Sequence, residues 1–328
     1  MKSFFKSILF CACVLSLCSW GVWGHTHINH AAVFALPVEM RSFFYNHIDY
    51  ITEESVGPDL RKHTIYDKSE GPRHYFDMEN YGKIDSIPLT MKEAKTKFDS
   101  AFLAKNGTLP WYIQEMMTKL TKAFKDKNKE QILFLAGDLG HYLGDANMPL
   151  HTSDNSDGQL TNQKGIHAFW ESQLPEIFGD NYNFYTGDAK YIDNIQQETW
   201  RIIKYTHSLI DSLLKDELAV KEIFNKEKIY QKDSLGNIKK TAWGGWIHSY
   251  DYAKAYHDKM NGMVERQIRN SLIDVANYWY TAWVNAGKPD LTNLDDAALT
   301  TRNSKALDED FAAWQQGKLT MMKVKNEF

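Results

Sequence analysis

Twelve histidines are spread over the 328 residues, and several stand beside carboxylates at spacings that suit a metal ion. His141 and Asp145 are four residues apart in a helix-periodic stretch, so both side chains leave one face of a helix. His151 follows just past Pro149, where that helix has to stop. His167 and Glu171 repeat the four-residue spacing. Upstream, Asp59 and His74 lie fifteen residues apart in a polar stretch, and His25 opens the first helix. Imidazole and carboxylate are the ligands that zinc accepts where cysteine is absent. A rigid helix carrying two of them one turn apart aims both at one point. A lone His–x3–acid pair is more often a solvated pair worth a few tenths of a kcal/mol, and His27, His30, His47 and His63 read that way. Two pairs joined by His151, Asp59, His74 and His25 are harder to dismiss.

The elements that must position these residues read as helices. Ile28, Ala31, Ala32, Ala35 and Leu36 make one stripe, and Met91 to Leu103, Trp111 to Phe124 and Gln131 to Gly144 make others. Met260, Val264, Ile268, Leu272, Val275, Trp279 and Trp283 form the clearest, which Gly287 and Pro289 end. This Met and Trp stripe reads as core. Long loops are expected around residues 52–90, 152–166 and 229–248. No linker, charge block or internal repeat divides the chain, so residues 20–300 read as one all-α domain, with a C-terminal helix or mobile tail over 301–328.

Residues 1–19 read as a signal peptide. Lys2 and Lys6 precede the apolar run Ile8 to Leu17, which is too short to span a bilayer, and small Ser19 makes Trp20 the first mature residue. Cys11, Cys13 and Cys18, the three cysteines of the sequence, leave with this segment. The mature protein would be periplasmic or secreted. Lipidation at Cys18 is the competing reading. Leu17 is large for such a site, and the lipidated chain would lock the amine of Trp20 into a peptide bond. With a formal charge of −4 and 24% charged residues, no broad basic surface advertises nucleic acid or anionic membrane.

Trp20-Gly-Val-Trp-Gly-His25, then Asp59, His74, His141-x3-Asp145-x5-His151 and His167-x3-Glu171, resembles the zinc-dependent phospholipase C/S1-P1 nuclease superfamily, nearest its bacterial phospholipase C branch. The resemblance covers most of the mature chain. It implies an all-α, multi-helix domain with a trinuclear metal cleft and three Zn²⁺. The first zinc would take Asp59, His74, His141 and Asp145, and the second His151, His167 and Glu171. The third would take the amine and carbonyl of Trp20, His25 and the other oxygen of Asp145, so that Asp145 bridges two metals. Only a free α-amine has the lone pair required, so signal cleavage would complete the site.

Three zinc ions against three carboxylates would leave a positive centre that draws in a phosphate ester. A water bridging two zincs about 3.5–4 Å apart would ionise near neutral pH and act as nucleophile. Asp59 and Asp145 are the catalytic candidates, with Asp59 orienting or deprotonating that water. Asp138 is either an acceptor for a ligand's ring N–H or a surface carboxylate. Gly137, Gly140 and Gly144 point to tight packing or to an irregular helix.

The spacing from Trp20 to His25 resembles the nuclease branch, whereas the short interval from His151 to His167 and the terminal Glu171 resemble the phospholipase branch. Trp23 and Leu60 stand where choline-binding members have an acid and an aromatic. Tyr75 stands where nucleases stack a base, and is otherwise core. Trp243 and Trp246 would form an exposed aromatic lip or bury against helices. Asn106-Gly-Thr108 would accept a glycan in a host that glycosylates its exports. The first expectation is a phospholipase C-like phosphodiesterase. The alternatives are a single-strand nuclease, with no stable nucleic-acid complex, and a catalytically idle zinc-binding protein.

Overall fold

Apolar stripes at helical spacing need a partner face, and most of them find it on one central helix. The computed structural model describes residues 21–65, 67–241, 244–294, 301–322 and 324. It is 67% helical, with no strand among the described residues. Helices α1 (Gly21–Ala32), α2 (Val38–Asn46), α3 (Ile48–Glu54) and α4 (Gly57–His63) open the fold. They are followed by α5 (Met91–Lys97), α6 (Ser100–Asn106), α7 (Leu109–Lys125) and α8 (Lys129–Ala146). A continuous run then comprises α9 (Ile166–Ala168), a π-turn (Phe169–Gln173) and α10 (Leu174–Phe178). The rest are α11 (Ile195–His207), α12 (Ile210–Ile223), α13 (Tyr250–Lys259), α14 (Met263–Asn285) and α15 (Thr301–Gln315).

The Met and Trp stripe lies on α14, which packs on α1, α7 and α8. Trp279 is fully buried, lies 5.0 Å from Phe44 in a stacked pair, and donates its indole N–H to the Ala136 carbonyl at 3.0 Å. That bond keeps its one polar atom satisfied inside the core. Met260 falls just outside, as the C-cap of α13. Gly287, at φ +88, takes the left-handed turn that stops α14.

Several expected boundaries are corrected. Met91 to Leu103 is two helices, because Phe98 turns extended and the Asp99 carboxylate caps α6 by accepting from the Phe102 N–H. The stretch 52–90 holds the end of α3, all of α4 and three short 3-10 turns, so Asp59 sits on a helix. Of the helix and the tail expected over 301–328, the helix is found as α15, where Trp314 is buried and stacks on Phe34; beyond it the Leu319 carbonyl accepts from the Phe184 N–H at 2.8 Å. The expected signal segment, with its cysteines, lies outside the described residues. No helix among those described is long and apolar enough to cross a membrane.

Residues 229–248 form an arm rather than a plain loop. Three extended runs meet pairwise through the bridges Tyr230↔His248, Lys232↔Ile238 and Lys240↔Trp246. Each run therefore pairs with both others.

Candidate metal centre

Helix α8 supplies His141 and Asp145, both fully buried, so the surface-pair reading fails for them. The helix can run this deep because its glycines remove side chains where neighbours arrive. A Cβ on Gly140 would stand 2.0 Å from the Asn29 amide oxygen of α1, and one on Gly137 would stand 2.7 Å from the Glu54 side chain of α3. Tight packing is thus the reason for these two glycines. Pro149 starts a 3-10 turn that turns His151 back toward the same point. Glu171 sits on the π-turn, one turn beyond His167.

Three groups of ligand atoms result, each within 4.8 Å of one another: Asp59, His74 and His141; His25, His141 and Asp145; and His151, His167 and Glu171. Asp145 joins them. Its Oδ2 lies 3.1 Å from His74 Nδ1 and 3.3 Å from His141 Nε2, while its Oδ1 lies 3.6 Å from His25 Nε2 and 3.4 Å from His151 Nδ1. His25 stacks on His141 with centroids 3.9 Å apart. Trp20, the remaining expected ligand, lies outside the described residues.

The tautomers fit a cation. The Nδ1–H groups of His141, His151 and His167 point at the carbonyls of Ser55, His74 and Ser156, each at 2.7 Å. Their Nε2 lone pairs then face inward. His151 Nε2 and His167 Nε2 meet at 3.3 Å, with Glu171 oxygens 3.5 and 3.2 Å away. Two facing lone pairs repel unless a proton or a metal ion lies between them. Ligand atoms around a tetrahedral zinc stand roughly 3.3–3.5 Å apart, given bonds of about 2.0–2.2 Å, which matches these separations. Both carboxylate oxygens of Asp59 are buried without a hydrogen bond among the described residues, as a ligand set awaiting a cation requires.

Without a metal, protons take that role. Burial opposes charge on His141 and His167, but neighbouring Asp145 and Glu171, respectively, outweigh it and lift each to about 9. Burial would raise the Glu171 carboxyl, yet His167 and His151 hold it down at about 2. His25 goes the other way, to about 3, through burial and repulsion from His141.

Glu70 is a functional residue that the sequence reading missed. It is buried, and its Oε1 lies 3.6 Å from His74 Nε2 and accepts the Tyr142 hydroxyl. Its Oε2 takes Arg61 at 3.2 Å and Arg73 at 3.1 Å. This carboxylate stands behind the ring at ion-pair rather than hydrogen-bond distance, on the side opposite the Nδ1 that faces the cluster, and its charge favours a proton on Nε2. The signal was available, because Glu70 and His74 repeat the four-residue spacing of the other pairs.

Other expectations are corrected. Asp138 is buried and accepts from Arg61 at 2.6 Å, so it is neither a surface group nor the acceptor for His141. His27 and His30 are buried rather than solvated, and His27 stacks on Trp23. Asn106 is buried, with its amide N–H donated to the Phe102 carbonyl, so no glycan could reach it. Tyr75 is half-buried, its hydroxyl donated to the Lys105 carbonyl at 3.0 Å. Trp246 is 48% exposed, and Trp243 lies outside the described residues.

An all-α frame thus surrounds clustered imidazoles and carboxylates that could hold metal ions. The chain belongs to the S1/P1 nuclease family, whose model, described as S1/P1 Nuclease, matches residues 20–278. Among solved structures it is similar to the alpha-toxin of Clostridium perfringens from an avian strain, at 18% identity and TM-score 0.48 over 84% of this chain and 65% of that one. It is also similar to the alpha toxin of Clostridium absonum, at 14% identity and TM-score 0.47 over 83% of this chain and 66% of that one. The chain thus spans about two thirds of those toxins' length, 65% and 66% respectively. A comparison with curated protein sequences gave no match.

Proposed function

We propose that this chain is an exported, zinc-dependent phosphodiesterase acting on single-stranded nucleic acid. The carrying observation is the convergence of three ligand groups on Asp145, with inward lone pairs on His151 and His167 that call for a cation. Family membership puts nucleic acid ahead of phospholipid as substrate. A phospholipase C reading stands second, on the short interval from His151 to His167 and the terminal Glu171. That the family match begins at Trp20 supports cleavage after Ser19.

Asp59, His74, His141 and Asp145 would hold one zinc, His151, His167 and Glu171 a second, and Trp20, His25 and Asp145 a third. Bound zinc supplies Lewis acidity and lowers the pKa of water toward neutrality. The Ser55, His74 and Ser156 carbonyls fix three rings so that no rotation is required when a phosphate arrives. Burial of Asp59 and Asp145 keeps bulk water from screening the charges that meet the ester. Asp59, whose oxygens take no hydrogen bond among the described residues, would turn one toward zinc and use the other to hold the proton lost by an attacking water. His167, with a quarter of its side chain exposed, marks the side from which substrate enters.

The test takes mature protein starting at Trp20, zinc-loaded, with single-stranded DNA and phosphatidylcholine in parallel and products read by mass spectrometry. Nucleotides ending in 5′-phosphate are expected. Diacylglycerol would install the second reading. Asp145→Asn should abolish turnover, and full turnover in that variant would refute the bridging role.

A further inference from the structure

We propose that the arm over residues 229–248 is a platform that holds the single strand beyond the bond being cut; this rests on the nuclease reading. Both ends of the π-turn that carries Glu171 grip the arm. At one end, the His248 ring stacks on Phe169 with centroids 3.6 Å apart. At the other, Gln173 donates to the Trp246 carbonyl at 3.0 Å and accepts the His248 N–H at 3.0 Å. The platform is thus seated on the element that bears the most open ligand group, whose His167 faces solvent.

What the arm presents suits a strand. Trp246 leaves about half of its surface open (48%), with Tyr230 edge-on to it at 4.9 Å. A flat indole beside a phosphate-cutting centre is a stacking surface for any base. Charge agrees, since residues 229–248 carry Lys232, Lys239 and Lys240 against Asp233 in a chain whose formal charge is −4. Lys232 is bonded to Glu227 at 2.7 Å, whereas Lys239 and Lys240 stand exposed on the run that bridges to Trp246. A cation paired across the bridge from an exposed aromatic, as Lys240 is from Trp246, gives the backbone contact and base stacking that single-strand binders combine. A bilayer fits less well. Leu235 (85% exposed) and Ile238 (36%) are the exposed aliphatics among the arm's described residues, two side chains rather than a broad apolar patch.

The experiment compares zinc-loaded wild type, Trp246→Ala and Lys239→Gln/Lys240→Gln on a dinucleotide and a single-stranded 20-mer. These exposed positions keep the metal groups intact, which zinc content and the melting curve verify. Trp246→Ala should lower kcat/KM on the 20-mer roughly tenfold and change the dinucleotide less than about twofold, as a platform reached only by nucleotides beyond the cut bond requires. The double lysine variant should reduce the salt-dependence slope of 20-mer binding by about 1. Equal losses on both substrates, or an unchanged 20-mer, would overturn the proposal.

Anisotropy of a labelled phosphorothioate 20-mer reads the arm without cleavage. If wild type binds it through Trp246 but cuts no nucleic acid, the nuclease reading fails and the platform stands. If wild type cuts DNA while both variants bind and cut like it, the platform fails alone. Binding to phosphatidylserine vesicles that Trp246→Ala abolishes, with 20-mer affinity unchanged, would overturn the strand in favour of a lipid surface.

Discussion

Replacing Gly140 by alanine should disturb the centre without touching a ligand. The new Cβ would stand 2.0 Å from the Asn29 amide oxygen and 2.6 Å from its carbon, well inside any real contact. Asn29 is fully buried and donates to the Ile51 carbonyl at 3.3 Å and the Gly137 carbonyl at 3.1 Å, so it has nowhere to swing. Overpacking costs about 1–3 kcal/mol, and a buried amide stripped of its bonds costs about 1–3 kcal/mol more. Alanine in place of a helical glycine returns about 1 kcal/mol. The net loss is therefore about 3 kcal/mol, a fall in Tm of roughly 5–10 °C for a chain of this size. Thermal and urea unfolding of the metal-free protein would measure it. The same displacement separates α1 from α8 and should loosen the His25–His141 stack, which zinc titration would register. Asn29→Ala removes the obstacle, so the double variant should be more stable than the two single losses predict, by at least about 1 kcal/mol. A Gly140→Ala protein within about 0.5 kcal/mol of wild type, or strict additivity with Asn29→Ala, would refute the packing argument.

Three further outcomes are expected. Metal-free protein should lose stability as pH rises from 7 to 9: His141 and His167 have folded pKa values of about 9, above the ordinary 6.5, so their stabilising protons are present at low pH and depart through that window. Denaturant midpoints across pH would show the decline, and a flat or rising profile would contradict the carboxylate–imidazole pairing. Glu70→Gln should weaken zinc binding about 10- to 100-fold by chelator competition, because His74 loses the carboxylate that orients it; unchanged affinity would remove Glu70 from the site. One residue added before Trp20 should lower the zinc count by one and suppress hydrolysis, and unchanged metal content would end the amine-ligand proposal.

Periodicity carried most of the helical frame, because a stripe such as Val264 to Trp283 has only one way to bury itself. Where it failed, local capping decided: Asp99 splits one apolar stripe into two helices, and α4 is too short for periodicity to register. The residues of the site were legible because four-residue spacing survives folding unchanged. Their convergence was not, since Asp59, His74 and His25 reach His141 through α4, a loop and α1. Burial was the weakest reading. His27, His30 and Asp138 are polar by type, yet each is buried against a specific partner; Trp23 stands one turn before His27 on α1, but only tertiary packing supplies Thr52 and Arg61.

The three-way pairing of the arm also bears on the edges it presents. A two-stranded hairpin projecting from a helical body would offer two open edges, each a template for a strand from another molecule. Here the third run closes against the first, and the bridges Tyr230↔His248, Lys232↔Ile238 and Lys240↔Trp246 leave each run with a neighbour on either side. A chain without cysteines after Ser19 has no disulfide to lock such a projection shut. The closed triangle holds the arm with backbone hydrogen bonds instead, and leaves no hairpin edge open along the three runs.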